Sequence, residues 1–333
     1  MAATGVSAEQ VLVNGSTGDP VLFVDWPDED NALLFDAGDN SALPMERLAD
    51  LRAVFISHHH VDHFIGLDRI VRANIDSGKV LSIFGPAGTI QKVYDRIRSY
   101  EYQFFPFQQI VLEVVDVGTA ELTRARLECS KRFPPPVPEA ISRDGAAIFR
   151  SGNITVEAVA VDHTIPCLAY ALVEEPAMHV DSAALAAGPL KPGKWIRAVQ
   201  QKLQSGADPT ETICLEGLEL PLGRLAEQYF RQTSGGRITF VTDTLWSEEV
   251  RESLVKLAQR ATRLYCDSFY SAAHEAQARK YRHMTARQAA LLARDARVEE
   301  LVLIHFGTRY RGRYEKLLEE AREIFPRTSA RFA

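Results

Sequence analysis

Cysteine is sparse in this chain and never paired. The four, Cys129, Cys167, Cys214 and Cys266, are far apart and form no C-x-x-C spacing. That argues against a disulfide framework and suits a reducing compartment. No apolar run reaches the ~18 residues of a membrane helix. The opening MAATGVSAEQ lacks a basic segment followed by an apolar one, so no secretory leader is expected and the protein reads as cytoplasmic. A strong positive balance is also missing. The formal net charge is -6, which argues against indiscriminate polyanion binding but leaves room for a local basic patch. There is no short repeat and no low-complexity tract. What remains is ordinary globular composition, 46% hydrophobic and 25% charged over 333 residues, enough for one large domain or two ordinary ones.

Alternating and continuous apolar runs predict strands at 10–14, 21–25, 32–36 and 53–57, separated by turn-formers such as Asn14-Gly15 and Gly38-Asp39-Asn40. A helix is expected over 65–77, a strand at 81–85 and a helix over 86–100. Strands follow at 110–117, 147–149, 154–161 and 168–173, with Phe133–Pro138 as a surface loop. Residues 174–236 read as polar and irregular, with one helical pattern at 195–203. Beyond them strands at 237–242, 262–267 and 300–304 alternate with helices at 247–259, 274–280, 285–293 and 314–324. This order suits two β-sheets packed face to face with helices outside, an αββα sandwich. We expect one domain over 1–333, with a substrate-binding insert at about 174–236.

The densest chemistry is Ser57-His58-His59-His60-Val61-Asp62-His63, an H-x-H-x-D-H pattern where a strand gives way to a helix. Imidazole and carboxylate are the usual nitrogen and oxygen donors for zinc. Expression tags sit at termini and lack an interleaved aspartate. His59 occupies an x position and is expected to point away, because successive side chains of an extended segment alternate. Three more metal-competent groups end apolar runs: Asp162-His163, Asp243 and His305. Singly, each could merely satisfy backbone groups. Together with the motif they would complete two metal spheres.

This set resembles the metallo-β-lactamase superfamily, and within it the tRNA 3′-processing endoribonuclease family, ribonuclease Z. Val161–Tyr170 resembles that family's H-x-x-P-S-x-x-Y motif. Ala187-Gly188-Pro189-Leu190 with Lys202–Gly206 resembles its G-P-L…K-L-x-x-G stretch. His283-Met284-Thr285 with Gln288-Ala289 resembles H-x-T-x-x-Q-A, and Leu303–Tyr310 resembles L-x-H-F-S-x-R-Y. The resemblance implies one metal on His58, His60 and His163, another on Asp62, His63 and His305, and Asp243 bridging both. It implies two divalent ions, zinc first, with manganese or iron as alternatives. It also implies catalytic roles for Asp62 and His283, hydrolysis of precursor tRNA by metal-activated water, and a homodimer. Departures exist: Asp36-Ala37-Gly38 runs into Asp39-Asn40-Ser41 instead of E-G-T-Q, Tyr265-Cys266-Asp267-Ser268 stands for H-E-A-T, and Thr242-Asp243-Thr244 stands for Gly-Asp-Thr.

Lys191, Lys194, Arg197 and Lys202 cluster around Trp195 in the insert, and Arg309–Tyr314 is a second basic, aromatic stretch. Either a phosphate-tracking patch or a solvated helix face fits the first cluster. His179 and His274 carry no motif and read as surface or structural residues. The alternative enzyme reading is a small-molecule phosphodiesterase, or a thioester or lactone hydrolase, on the same di-metal core. A non-enzymatic scaffold or nucleic-acid binder with a vestigial site is the third.

Overall fold

The computed structural model describes residues 6–26, 31–102, 107–215 and 217–332. Eight strands, β1 (Glu9–Leu12), β2 (Leu22–Trp26), β3 (Asn31–Phe35), β4 (Leu51–Phe55), β5 (Val80–Pro86), β6 (Val111–Val117), β7 (Glu121–Glu128) and β8 (Glu139–Ser142), form one sheet in chain order. The middle strands β3 to β6 run parallel, and the flanking pairs are antiparallel. A second sheet starts with β9 (Ala147–Ser151), β10 (Ile154–Val161) and β11 (Cys167–Glu174). Four short strands follow, β12 (Met178–Val180), β13 (Thr212–Leu215), β14 (Leu218–Pro221) and β15 (Phe230–Gln232). The second sheet then resumes with β16 (Gly236–Val241), β17 (Arg263–Asp267), β18 (Glu300–Ile304) and β19 (Thr328–Ser329), in the order β19-β18-β17-β16-β11-β10-β9. β16 to β19 are parallel.

Alternation along the strands decides which side chains meet. Phe35, Phe55 and Phe84 of the first sheet turn inward against Tyr170, Phe240 and Phe149 of the second, with ring centroids 5.6–6.1 Å apart across the interface. Their outward neighbours, such as Leu34, Val54 and Ile83, pack under Leu48, Ile70 and Val93 from the outer helices. On the second sheet Leu264, Cys266 and Leu303 pack under Leu254, Ala289 and Leu317. The expected αββα layering is therefore present.

The chain divides into two compact units. The larger holds both sheets; the smaller comprises Val173–Gly236 with Gly152–Ile154 and Ser7. The smaller unit is not irregular. It pairs β12 with β15 and β13 with β14, and it carries helices Ser182–Ala187, Trp195–Gln204 and Leu222–Tyr229. Leu185, Val199, Leu222, Leu225 and Tyr229 form its own buried core. Gly188 of the G-P-L stretch is needed there: a Cβ would lie 2.6 Å from the Tyr229 ring.

Other expectations need adjusting. The helix foreseen over 65–77 is two pieces, Val61–Phe64 and Leu67–Asn74. β7 and β8 were not foreseen, because Arg124, Arg126 and Glu139 break the apolar alternation. Phe133, expected on the surface, is buried against Tyr102.

Candidate metal centre

Parallel strands place their C-terminal ends at one sheet edge, the usual location of sites in such sheets. Here the registers bring β3 beside β4 at Phe35 and Phe55, and β17 beside β18 at Asp267 and Ile304. Asp36, Ser57-His58, Asp243, Asp267 and His305 are thereby carried to strand exits. Three of them hold left-handed backbone, Asp36 at φ 58°, Asp243 at φ 44° and His305 at φ 59°. Non-glycine residues pay roughly 1–3 kcal/mol for such conformations, which persist where surrounding bonds over-determine them. The chain also passes itself closely: a Cβ on Gly38 would lie 2.3 Å from the Asp62 carbonyl oxygen. Ala37 N–H donates to His63 O at 2.9 Å, pinning the metal-motif helix to the end of β3.

Hydrogen bonds fix which nitrogen each histidine presents. His63 Nδ1 donates to Asp36 Oδ2 at 2.7 Å. Ser57 Oγ gives its proton to Asp36 Oδ2 at 2.8 Å, so it accepts from His58 Nδ1 at 3.0 Å. His163 Nδ1 donates to the Arg282 carbonyl at 3.0 Å. In all three rings Nδ1 is engaged, which leaves Nε2 as the atom turned inward. Those atoms face one another. His58 Nε2 lies 2.9 Å from His60 Nδ1, and His163 Nε2 lies 3.4 Å from the same atom. Asp243 Oδ2 stands 3.5, 3.6 and 3.8 Å from Nε2 of His58, His63 and His163. Asp62 Oδ2 is 3.5 Å from His63 Nε2 and 3.3 Å from His305 Nε2. Asp243 Oδ1 is 2.8 Å from His305 Nδ1.

Three groups of donor atoms, each within 4.8 Å of one another, emerge: His58, His60, His163 and Asp243; Asp62, His63 and His305; and Asp243, Asp267, His283 and His305. All seven residues expected as ligands lie in these groups. A divalent cation fits this donor set of lone-pair nitrogens and carboxylates. His63 Nε2 is buried without a hydrogen-bond partner among the described residues, an arrangement that protein groups alone would leave costly.

The electrostatics differ from ring to ring. Burial, helped by neighbouring His63, pushes His58 down to about 2. Burial would depress His63 as well, but Asp243 and Asp36 carry it up to about 10. His305 is likewise raised well above its ordinary value by Asp243 and Asp62, against burial. Burial would raise the Asp62 carboxyl, but the neighbouring His305 and His63 rings hold it well below the ordinary carboxylate range.

His283 lies beside these groups. Its Nδ1 is 3.1 Å from Asp267 Oδ2, and its ring stacks on Phe269. Thr285 and Gln288 of the same motif form a capping box that starts the helix Ala286–Ala296, a structural task. His59 turns away, as expected, to Thr89 Oγ1 at 2.9 Å. His274 bonds Ser271 and Tyr310 at a helix start. Asp36, Asp267 and Arg282 were not foreseen. The first two carry the same signal as Asp243, an acid ending a buried strand. Arg282 carries none.

The Beta-lactamase superfamily domain profile matches residues 11–168. A ribonuclease Z of Deinococcus radiodurans is 30% identical over 305 residues, covering 90% of this chain and 89% of that protein. The chain belongs to the ribonuclease Z family. A ribonuclease Z of Treponema pallidum is 27% identical over 312 residues, covering 90% and 86%. In fold, the chain is similar to the short form of human tRNase Z, with TM-score 0.53, 18% identity and 92% of each chain covered. It is also similar to the metallo-β-lactamase fold protein YhfI of Bacillus subtilis, with TM-score 0.55, 15% identity and coverage of 97% and 95%. Membership in the ribonuclease Z family makes this protein a metal-dependent hydrolase. None of the described helices is long and apolar enough to cross a membrane.

Proposed function

We propose that this protein is a di-metal phosphodiesterase that removes the 3′ trailer from precursor tRNA. The observation that carries the reading is the meeting of His58, His60, His163, Asp62, His63 and His305 around Asp243 in a chain 30% identical to a ribonuclease Z over 90% of its length. His58, His60 and His163 would hold one ion, Asp62, His63 and His305 the other, and Asp243 both. When bound, the ions, zinc in this reading with manganese or iron as the other occupants, supply Lewis-acid charge and acidify water.

The protein's own groups do the rest. Asp36, Ser57 and the Arg282 carbonyl hold three histidines by Nδ1, so that Nε2 faces inward. Asp62 is ionised and accepts a hydrogen bond from the attacking water. Water oxygen bonds to phosphorus and releases one proton to solvent, the bond from phosphorus to the 3′ oxygen breaks, and that oxygen takes a proton. His283 supplies it: Nδ1 is committed to Asp267, which leaves Nε2 for the departing 3′ oxygen. In the smaller unit Lys191, Lys194 and Arg197 are exposed and suit phosphate contact, whereas Lys202 pairs with Glu211 and Trp195 packs on Tyr229 and Phe230. We read the unit as the tRNA-binding insert of a cytoplasmic homodimer.

Cleavage of a 3′-extended precursor tRNA, with both ends mapped, tests the reading. One cut leaving a 3′-hydroxyl on the tRNA, absent from Asp243→Ala, is the expected result. Hydrolysis of a small phosphodiester with no cut in tRNA would move the substrate to a small molecule. Light scattering of the purified protein checks the dimer.

A further inference from the structure

We propose that Phe269 is a positioning residue that fixes the direction of the His283 proton, and that Gly307 exists in glycine form to let it do so. The inference rests on the reading of His283 as proton donor to the leaving oxygen. The Phe269 ring lies nearly parallel to His283, centroids 4.3 Å apart at 23°, and meets His305 edge-on at 5.3 Å. Its backbone is tied to the same carboxylate as the histidine. Phe269 N–H donates to Asp267 Oδ1 at 3.0 Å, while Asp267 Oδ2 takes His283 Nδ1 at 3.1 Å. One hydrogen bond through Nδ1 leaves an imidazole free to swing about that bond. A flat face laid against the ring removes the swing, and Nε2 is then aimed in one direction. Geometry of this kind matters because a misplacement of about 1 Å can cost about 10²-fold in rate.

Gly307 supplies the space. Its N–H donates to the Phe269 carbonyl at 3.2 Å. A Cβ there would stand 2.7 Å from that oxygen and 2.8 Å from ring atom Cε1. The glycine φ is not left-handed, so close approach, not backbone freedom, is what requires it. Where the family pattern has serine, this chain has traded a side chain for a ring seated over its proton donor.

The leaving group separates this role from general packing. The 3′-alkoxide of RNA needs a proton; p-nitrophenolate does not. Wild-type protein and the Phe269→Ala, Phe269→Leu, Phe269→Tyr and Gly307→Ala variants would be compared on precursor tRNA and on bis(p-nitrophenyl) phosphate, with metal content and thermal midpoint recorded. Phe269→Ala and Phe269→Leu are expected to lose about ten- to a hundredfold in kcat on tRNA. KM and metal content should hold, with less than about a twofold loss on the nitrophenyl ester, since that reaction bypasses general acid catalysis. Phe269→Tyr, with its flat ring, should recover most of the rate, and Gly307→Ala should repeat the selective loss. Equal losses on both substrates, or wild-type behaviour of Phe269→Leu on tRNA, overturn the proposal. Wild-type protein that leaves tRNA uncut overturns the parent reading and this one with it, and that is known before any variant is compared.

Discussion

The two halves of the metal centre are built on different support. Around His58 and His163 the outer hydrogen bonds go to neutral acceptors, the Ser57 hydroxyl and the Arg282 carbonyl. Around His63 and His305 the neighbours are carboxylates: Asp36 at 2.7 Å from His63, Asp62 at 3.3 Å and Asp243 at 2.8 Å from His305. The pKa values follow, with His58 driven down by burial and His63 and His305 pulled up by negative charge. One half offers neutral nitrogen donors in a dry setting. The other surrounds its donors with negative charge. A cation in the second half is favoured by Coulomb attraction from behind its candidate ligands as well as from them, whereas in the first half charge comes from Asp243 alone and the outer partners supply only geometry.

Substitutions can break this contrast in order of expected effect. Asp243→Ala removes the one residue common to both halves. It should lower tRNA cleavage by about 10³-fold or more, given that single electrostatic groups at active sites are worth about 10²–10³. Metal analysis should show both ions weakened. Asp36→Asn keeps size but removes the charge directly behind His63, and it reaches His58 only through the Ser57 hydroxyl. Affinity for the ion on the His63 side should fall about 10–100-fold and that for the other ion by less, a split that stepwise metal titration would resolve. If both ions weaken equally, the contrast drawn above is wrong.

Arg282→Gly acts on the neutral half. Arg282 holds left-handed backbone at φ 56°, accepts from His163 through its carbonyl, and reaches the Asp162 carboxylate and the His163 carbonyl with its guanidinium. Glycine relieves the backbone but drops the clamp. Thermal stability should change by less than about 1 kcal/mol, since the two effects oppose. Metal affinity at His58, His60 and His163 should fall about tenfold. The smallest effect belongs to a control in the outer helices. Asp68 accepts two hydrogen bonds from Arg96, which hold its carboxyl below 3.8 although burial alone would raise it. A depressed acid contributes stability above its unfolded value and loses it as pH falls through its folded one. Asp68→Asn should therefore cost about 0.5 kcal/mol at neutral pH, after solvent screening, and nothing in strong acid. Chemical denaturation at both pH values, with metal content unchanged, would show the contrast to be local to the centre.

Sequence reading reached the large unit and its candidate ligands for the same reason. β3, β4, β16, β17 and β18 are apolar runs that announce themselves, and each hands a polar residue to the exit that follows. His58 to His63 needed only spacing. Asp267 and Asp36 were visible as letters but not as participants, because an acid after a strand is common and only the parallel registers bring it to the centre. Arg282 and Phe269 act through a carbonyl and a ring face, which no spacing encodes. In the smaller unit the helix Trp195–Gln204 was reached, and the rest escaped because its other helices and strands run only three to eight residues. Over such lengths a 3.6-residue period cannot be told from chance. Its packing was partly written in Gly188, whose reason appears only once Tyr229 is beside it.

The left-handed backbone at Asp243 and His305 narrows the alphabet open to these positions twice over. Away from glycine, that conformation is best tolerated by asparagine, aspartate and histidine. Metal chemistry asks for aspartate, glutamate, histidine or cysteine. Only aspartate and histidine satisfy both demands. Glutamate, the nearest substitute by charge, carries a longer side chain on a backbone that disfavours it; asparagine fits the backbone and lacks the charge. Lineages of this fold that drift at these two strand ends should therefore interchange aspartate and histidine or abandon the chemistry, with few viable spellings between.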